Sequence, residues 1–157
     1  MAIGVDSHDP THTVLEHSYC RKNLHANMLT IRKSQMKVFQ REAERNFLDA
    51  VLEQLRSSHA AVIKDVEDDI LRKRVAYGIA RAREYGLTWK TNLTTFVMLM
   101  FDLGPEFDRH PAFFRCLNNV KVEPDKRMGV LIKEMTEDDW QIARQRQIAA
   151  QWPEGCR

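Results

Sequence analysis

Four of the six histidines, His8, His12, His17 and His25, fall in the first 27 residues, where Asp6, Asp9 and Cys20 complete the ligand types of a zinc site. Coordination also needs fixed geometry. This stretch has no apolar staple to hold it before a metal arrives, so the metal would have to supply all of its order. It is polar, contains Pro10 and shows neither a helical nor a strand period, so it reads as a solvated tail without a metal site. Two acidic clusters, Glu67, Asp68 and Asp69, then Glu137, Asp138 and Asp139, offer paired carboxylates for acid and base work. Helix N-termini account for both more cheaply, because negative charge there satisfies free amides and the dipole.

Arg72, Lys73, Arg74, Arg81 and Arg83, with Tyr77 and Tyr85 interleaved, would make a phosphate-binding ridge. The same segment begins with acids, and DNA recognition needs side chains aimed at base edges. No Ser or Cys stands with a His in a nucleophile motif, and His59 and His110 read as surface side chains in loops. A reaction would need distant residues to converge, for example His59 or His110 meeting a carboxylate. The expectation is no catalytic residue, no metal and no cofactor.

The elements that would position side chains are helical. The run at 93–103, LTTFVMLMFDL, is apolar on every side and closes with Gly104 and Pro105. Such a helix belongs at the centre of a bundle, and it is too short to cross a bilayer, which takes ~20 apolar residues. Before it, a helix from Ser34 to about Arg56 carries Val38, Phe39, Phe47, Val51, Leu52 and Leu55 on one stripe. A second gathers Ile70, Leu71, Val75, Ile79 and Ala82. Gly86 is placed to stop it in a left-handed turn, with Leu87 as the accompanying apolar contact. Thr88 is the expected cap of the central helix.

After it, a short helix is expected to turn Phe113, Phe114 and Leu117 inward, followed by extended VKVE and a helix opened by Pro124 with Met128, Leu131, Ile132 and Met135 packed. Thr136 and Asp139 form a capping pair for a last helix through about Gln151. The fold class is therefore all-α, a bundle of about five helices around a central apolar helix, with a disordered N-terminal tail. Its parts are a flexible tail at 1–27, a helical domain at 28–151 and a flexible C-terminus at 152–157.

At 157 residues the chain is long enough for one core, and 24 basic against 22 acidic residues leave +2, too little to draw the whole molecule to nucleic acid or anionic lipid. Cys20, Cys116 and Cys156 are far apart, which fits reduced thiols in the cytoplasm. The first residues have neither a basic start nor an apolar run and do not read as a secretory signal.

Across 28–135 the motifs MLTIRKSQMKVFQREAERNF, RVAYGIARAREYGL, FVMLMFDLGPEFDRHP and RMGVLIKEM resemble an uncharacterised family of short bacterial all-helical proteins associated with type VI secretion effector operons. The resemblance implies an accessory role around effector handling and supplies no catalytic residues. It does not extend to the first 27 residues or beyond Met135. The expected function is a non-catalytic adaptor or chaperone-like protein whose partner is a secreted effector or spike-tip protein, with self-association through the final helix also compatible. The expected contact residues are Trp140, Trp152, Phe107 and Asp108. Membrane is excluded as a partner and nucleic acid is disfavoured. The alternatives are an immunity protein neutralising a toxin, which calls for a single-signed surface, and a DNA-binding regulator using the Arg72 to Arg83 segment.

Overall fold

Among the described residues seven α-helices follow one another: α1 Lys33–Ser58, α2 Ala60–Ile63, α3 Asp68–Glu84, α4 Lys90–Leu103, α5 Pro111–Leu117, α6 Pro124–Glu134 and α7 Glu137–Gln147. Short 3-10 turns occupy Phe107–Arg109 and Glu154–Cys156. The computed structural model describes residues 32–147 and 151–157. Contacts divide the chain between Arg32 and Lys33, and every described helix lies in the second unit, Lys33–Arg157. The tail and its His and Asp residues lie outside the described residues, as does any extension of α7 through 148–150. Among the described residues there is no strand, and no helix is long and apolar enough to cross a membrane.

The apolar run folds as α4 and is sheathed on several sides, touching α1, α3, α6, α7 and the 3-10 turn that follows it. Leu93, Phe96, Val97, Met100, Phe101 and Leu103 are buried on it. Removing each such side chain from water contributes about 1.5–3 kcal/mol, so α4 organises the core. On one side Phe96 and Met100 pack with Phe107, Phe113, Leu117, Met128 and Leu131. On the other, Val97 and Phe101 pack with Val51, Leu52, Leu55, Leu71 and Val75. Gly78 lets α3 approach α4 closely, since a Cβ there would stand 3.0 Å from both Met100 Sδ and Val97 Cγ2.

Several local readings hold in detail. Gly86 has φ 78° and donates to Arg83 O at 2.9 Å, while Leu87 N–H reaches Ala82 O at 3.3 Å and its side chain is fully buried. This is the two-bond Schellman stop. Thr136 and Asp139 exchange backbone and side-chain bonds reciprocally at the start of α7. The acidic clusters do occupy the first turns of α3 and α7.

Others are corrected. Thr88 does not cap α4, because its hydroxyl is turned to Asp125 of α6. Val38 and Phe39 are 62% and 60% exposed, because the first half of α1 runs past the helices that bury its second half. Phe114 and Ile132 also face out. The stretch VKVE is a turn built on Asn119, whose Oδ1 accepts Lys121 N–H at 3.0 Å. The end of the chain is not loose. Trp152 packs on Phe101 with ring centroids 5.1 Å apart and lies 5.0 Å from the Arg74 guanidinium, and Arg74 Nε donates to Cys156 O at 2.9 Å.

Candidate functional site

The four expected contact residues divide into two interior and two half-buried positions. Phe107 is buried between Phe96 and Phe113, with centroids 4.9 and 5.7 Å away. Asp108 is fully buried. Its Oδ2 accepts Arg81 Nε at 2.8 Å and Tyr85 Oη at 2.7 Å, whereas Oδ1 has no hydrogen-bond partner among the described residues. Neither side chain is presented to a partner in this conformation; Phe107 fastens the 3-10 turn to α4 and α5, and Asp108 fastens it to α3 and its C-cap Tyr85. Burial of Tyr85, and then its bond to Asp108, raise the phenol pKa. Burial opposes the charge on Arg81, but the nearby Asp108 more than compensates and raises its pKa. Trp140 meets Phe113 edge to face at 5.1 Å. Trp152 fills the niche of Arg74, Phe101 and Tyr77.

One convergence bears on catalysis. His59 Nε2 lies 2.9 Å from Asp102 Oδ1 on α4, and Ser58 Oγ lies 2.6 Å from His59 Nδ1. The histidine is therefore largely covered rather than a free surface residue, with its side chain 13% exposed. His110, likewise expected at the surface, is half-buried with its ring edge-on to Phe113 at 5.5 Å. Serine, histidine and carboxylate in sequence invite comparison with a nucleophilic triad. However, Ser58 Oγ is also 2.8 Å from Gln54 O, so its single hydrogen is shared with a backbone carbonyl. Ser58 is also the last residue of α1, and a helix end directs carbonyl oxygens outward, the wrong polarity for stabilising an oxyanion. Nor does either residue line the grooves beside α4 described below. The chain can latch α1 to α4; its geometry does not prepare acyl transfer.

The four arginines of the basic ridge are also committed internally. Arg72 Nη1 meets Asp49 at 2.7 Å, Arg74 is held by Cys156 O and Trp152, Arg81 by Asp108, and Arg83 Nη1 meets Glu44 at 3.3 Å. Among the described residues no group of three or more His, Cys, Asp or Glu side chains is gathered to hold a metal.

The open surfaces lie elsewhere. Residues 35–46 of α1 are all exposed, and they carry Met36, Val38 and Phe39. They lead into a groove of about 390 Å³ between α1 and α4, lined by Phe47, Ala50, Gln54, Lys90, Thr91 and Thr95. A second groove, about 380 Å³, runs between α4 and α7 along Leu99, Asp102, Trp140 and Arg144.

Two residues that sequence reading missed, both on α6, tie it to the start of α4 and to the ends of α3 and α5. Asp125 accepts the backbone N–H of Thr88 and Trp89 at the start of α4. Arg127 donates to Val122 O, Leu117 O and Tyr85 O at 3.0, 3.0 and 3.3 Å. An Asp one position after a helix-opening Pro was a signal only for α6 itself. Comparison with protein-family models, with characterised proteins and with solved structures yields no match to this chain.

Proposed function

We propose that this chain is a non-catalytic adaptor or chaperone-like accessory protein for a type VI secretion effector, acting by protein contact. The observation that carries the contact role is the first half of α1. It is a regular helix that leaves Met36, Val38 and Phe39 at 45%, 62% and 60% exposure while the interior behind it is closed. Apolar side chains left in water on a rigid element mark a binding face. The secretion assignment rests on the resemblance of the motifs across 28–135 and on nothing in the geometry. A DNA-binding role draws less support, because the arginines it would use are paired within the fold.

The test is purification of the tagged chain from its native host, with mass spectrometry of what accompanies it. The tag belongs at the N-terminus, since Trp152 and Cys156 pack against the bundle. Recovery of an effector or spike-tip protein, at reduced levels in cells lacking this chain, is the expected result. Ribosomal and chaperone background alone would overturn the assignment.

A further inference from the structure

We propose that the niche between α3, α4 and the last residues binds a small aromatic carboxylic acid, a role separate from the protein contact proposed above. A cavity of about 170 Å³ opens there beside Arg74, with Val62, Met100, Phe101, Pro105 and Trp152 around it. An engineered apolar cavity of about 150 Å³ takes up benzene, so the space suits one six-membered ring. It is too small for a drug-sized ligand, which needs about 300 Å³ or more.

Charge selects an anion. Arg72, Arg81 and Arg83 each meet a carboxylate, of Asp49, Asp108 and Glu44, whereas Arg74 meets none among the described residues. Arg74 is half-buried, and burial disfavours its charge and lowers its pKa. Its cation is answered by the face of Trp152, 5.0 Å from the ring centroid, and by the carbonyl of Cys156. Nε is spent on that carbonyl at 2.9 Å, which orients the guanidinium, while Nη1 and Nη2 make no hydrogen bond among the described residues. A planar carboxylate accepts two parallel N–H groups of that kind in a fork. Phosphate, with three strong acceptor oxygens, calls for more donors. The niche has few to add, since Gly104 N–H is committed to Met100 O at 3.1 Å and Pro105 has none. The rings of Phe101 and Trp152 and the thioether of Met100 favour an aromatic body over a branched aliphatic one.

The probe is sodium benzoate, titrated calorimetrically into the full chain at neutral pH, with benzamide, inorganic phosphate and Gly-Gly-Phe as comparators. Saturable binding of one benzoate per chain is expected, with a dissociation constant of about 1 mM or tighter. Benzamide, which has the shape without the charge, should bind about tenfold more weakly, and Arg74→Lys, which keeps the charge and loses the fork, should weaken benzoate by about the same factor. Val62→Phe should weaken it about tenfold by filling the mouth of the cavity. Val62 is 50% exposed, so that variant keeps Arg74 and Trp152 in place and its circular dichroism unchanged; it decides the matter even where Arg74→Lys loosens the last residues. Absence of saturable benzoate binding overturns the proposal. So does equal affinity for benzamide, which makes the niche a plain apolar hole, or benzoate binding untouched by Val62→Phe, which places it elsewhere. Phosphate that displaces benzoate at equal concentration gives the niche to a phosphate, and tighter binding of Gly-Gly-Phe gives it to a chain terminus; either result overturns the small-acid assignment.

Discussion

The Asp125 carboxylate accepts the backbone N–H of Thr88 at 2.8 Å across 37 residues of sequence. The same Oδ1 takes Trp89 N–H at 3.0 Å and Asn92 Nδ2 at 3.1 Å, so a side chain on α6 does for α4 what a local N-cap does for most helices. Burial alone would raise its pKa, yet the bonds from Thr88, Trp89 and Asn92 win and bring it down to about 2. Folding is therefore favoured by the ionised form. The contribution is complete above the ordinary carboxylate value of 3.8 and is lost as pH falls from there toward 2.

Replacing Asp125 by Ala should lower stability at neutral pH by about 1–2 kcal/mol, the usual range for a lost cap, and Asn should cost less. Urea midpoints measured down a pH series should show the difference from wild type closing in acid. A difference that persists unchanged through acid, or none at neutral pH, contradicts the capping role.

Tyr85 and Arg81 share one oxygen of a fully buried carboxylate. Tyr85→Phe should cost about 1–2 kcal/mol through the unmade bond to Asp108. Asp108→Ala should cost more, about 3 kcal/mol, since it leaves the partly buried Arg81 guanidinium with only the exposed Glu84 carboxylate 3.3 Å away. The phenol pKa is raised on folding, by burial first and then by Asp108, so its contribution is intact below the ordinary value of 10.0 and declines as pH rises past it. The cost of Tyr85→Phe should accordingly shrink in alkali. Equal stability of wild type and Tyr85→Phe at neutral pH would remove the clamp from the account.

What the sequence discloses is what neighbours in sequence decide. Gly86 with Leu87, and Thr136 with Asp139, complete their bonds within one turn, so their roles can be read from spacing alone. The burial of α4 is legible because no face of it is polar enough for water. Asp125 and Asp108 are different, for their partners lie tens of residues away, and Arg127 joins nearby Val122 and Leu117 to distant Tyr85 with nothing local to mark it. The α1 stripe shows a third case. Periodicity locates the apolar face over Val38 and Phe39 as well as over Val51 and Leu55, but only the neighbouring helices determine which part is covered. The first half, read as core, is instead the binding face proposed here.

Trp152 closes the niche between Arg74 and Phe101, and the last residues are fixed by the Arg74 bond to Cys156 O. Trp152→Ala should therefore cost about 1–3 kcal/mol, less than a fully buried aromatic because the ring is half-buried, and should release the 3-10 turn after it. Hydrogen exchange should report faster exchange at Cys156 N–H, now bonded to Pro153 O at 2.8 Å. Unaltered melting and exchange would mean that the segment adds nothing to the fold.

The sharpest test of a non-catalytic reading falls on Ser58. A serine nucleophile must give its proton to the base as it attacks, and the hydroxyl of Ser58 divides that hydrogen between His59 Nδ1 at 2.6 Å and Gln54 O at 2.8 Å. The attack would also build negative charge at the carbonyl end of α1, where the helix dipole opposes it. A fluorophosphonate probe should thus leave Ser58 unlabelled under conditions that saturate a serine hydrolase. His59→Ala should instead register as a loss of about 1 kcal/mol in stability, because it cuts the tie between α1 and Asp102 of α4. Labelling of Ser58 that disappears in His59→Ala and in Asp102→Asn would make the same three residues an active site and end the adaptor reading.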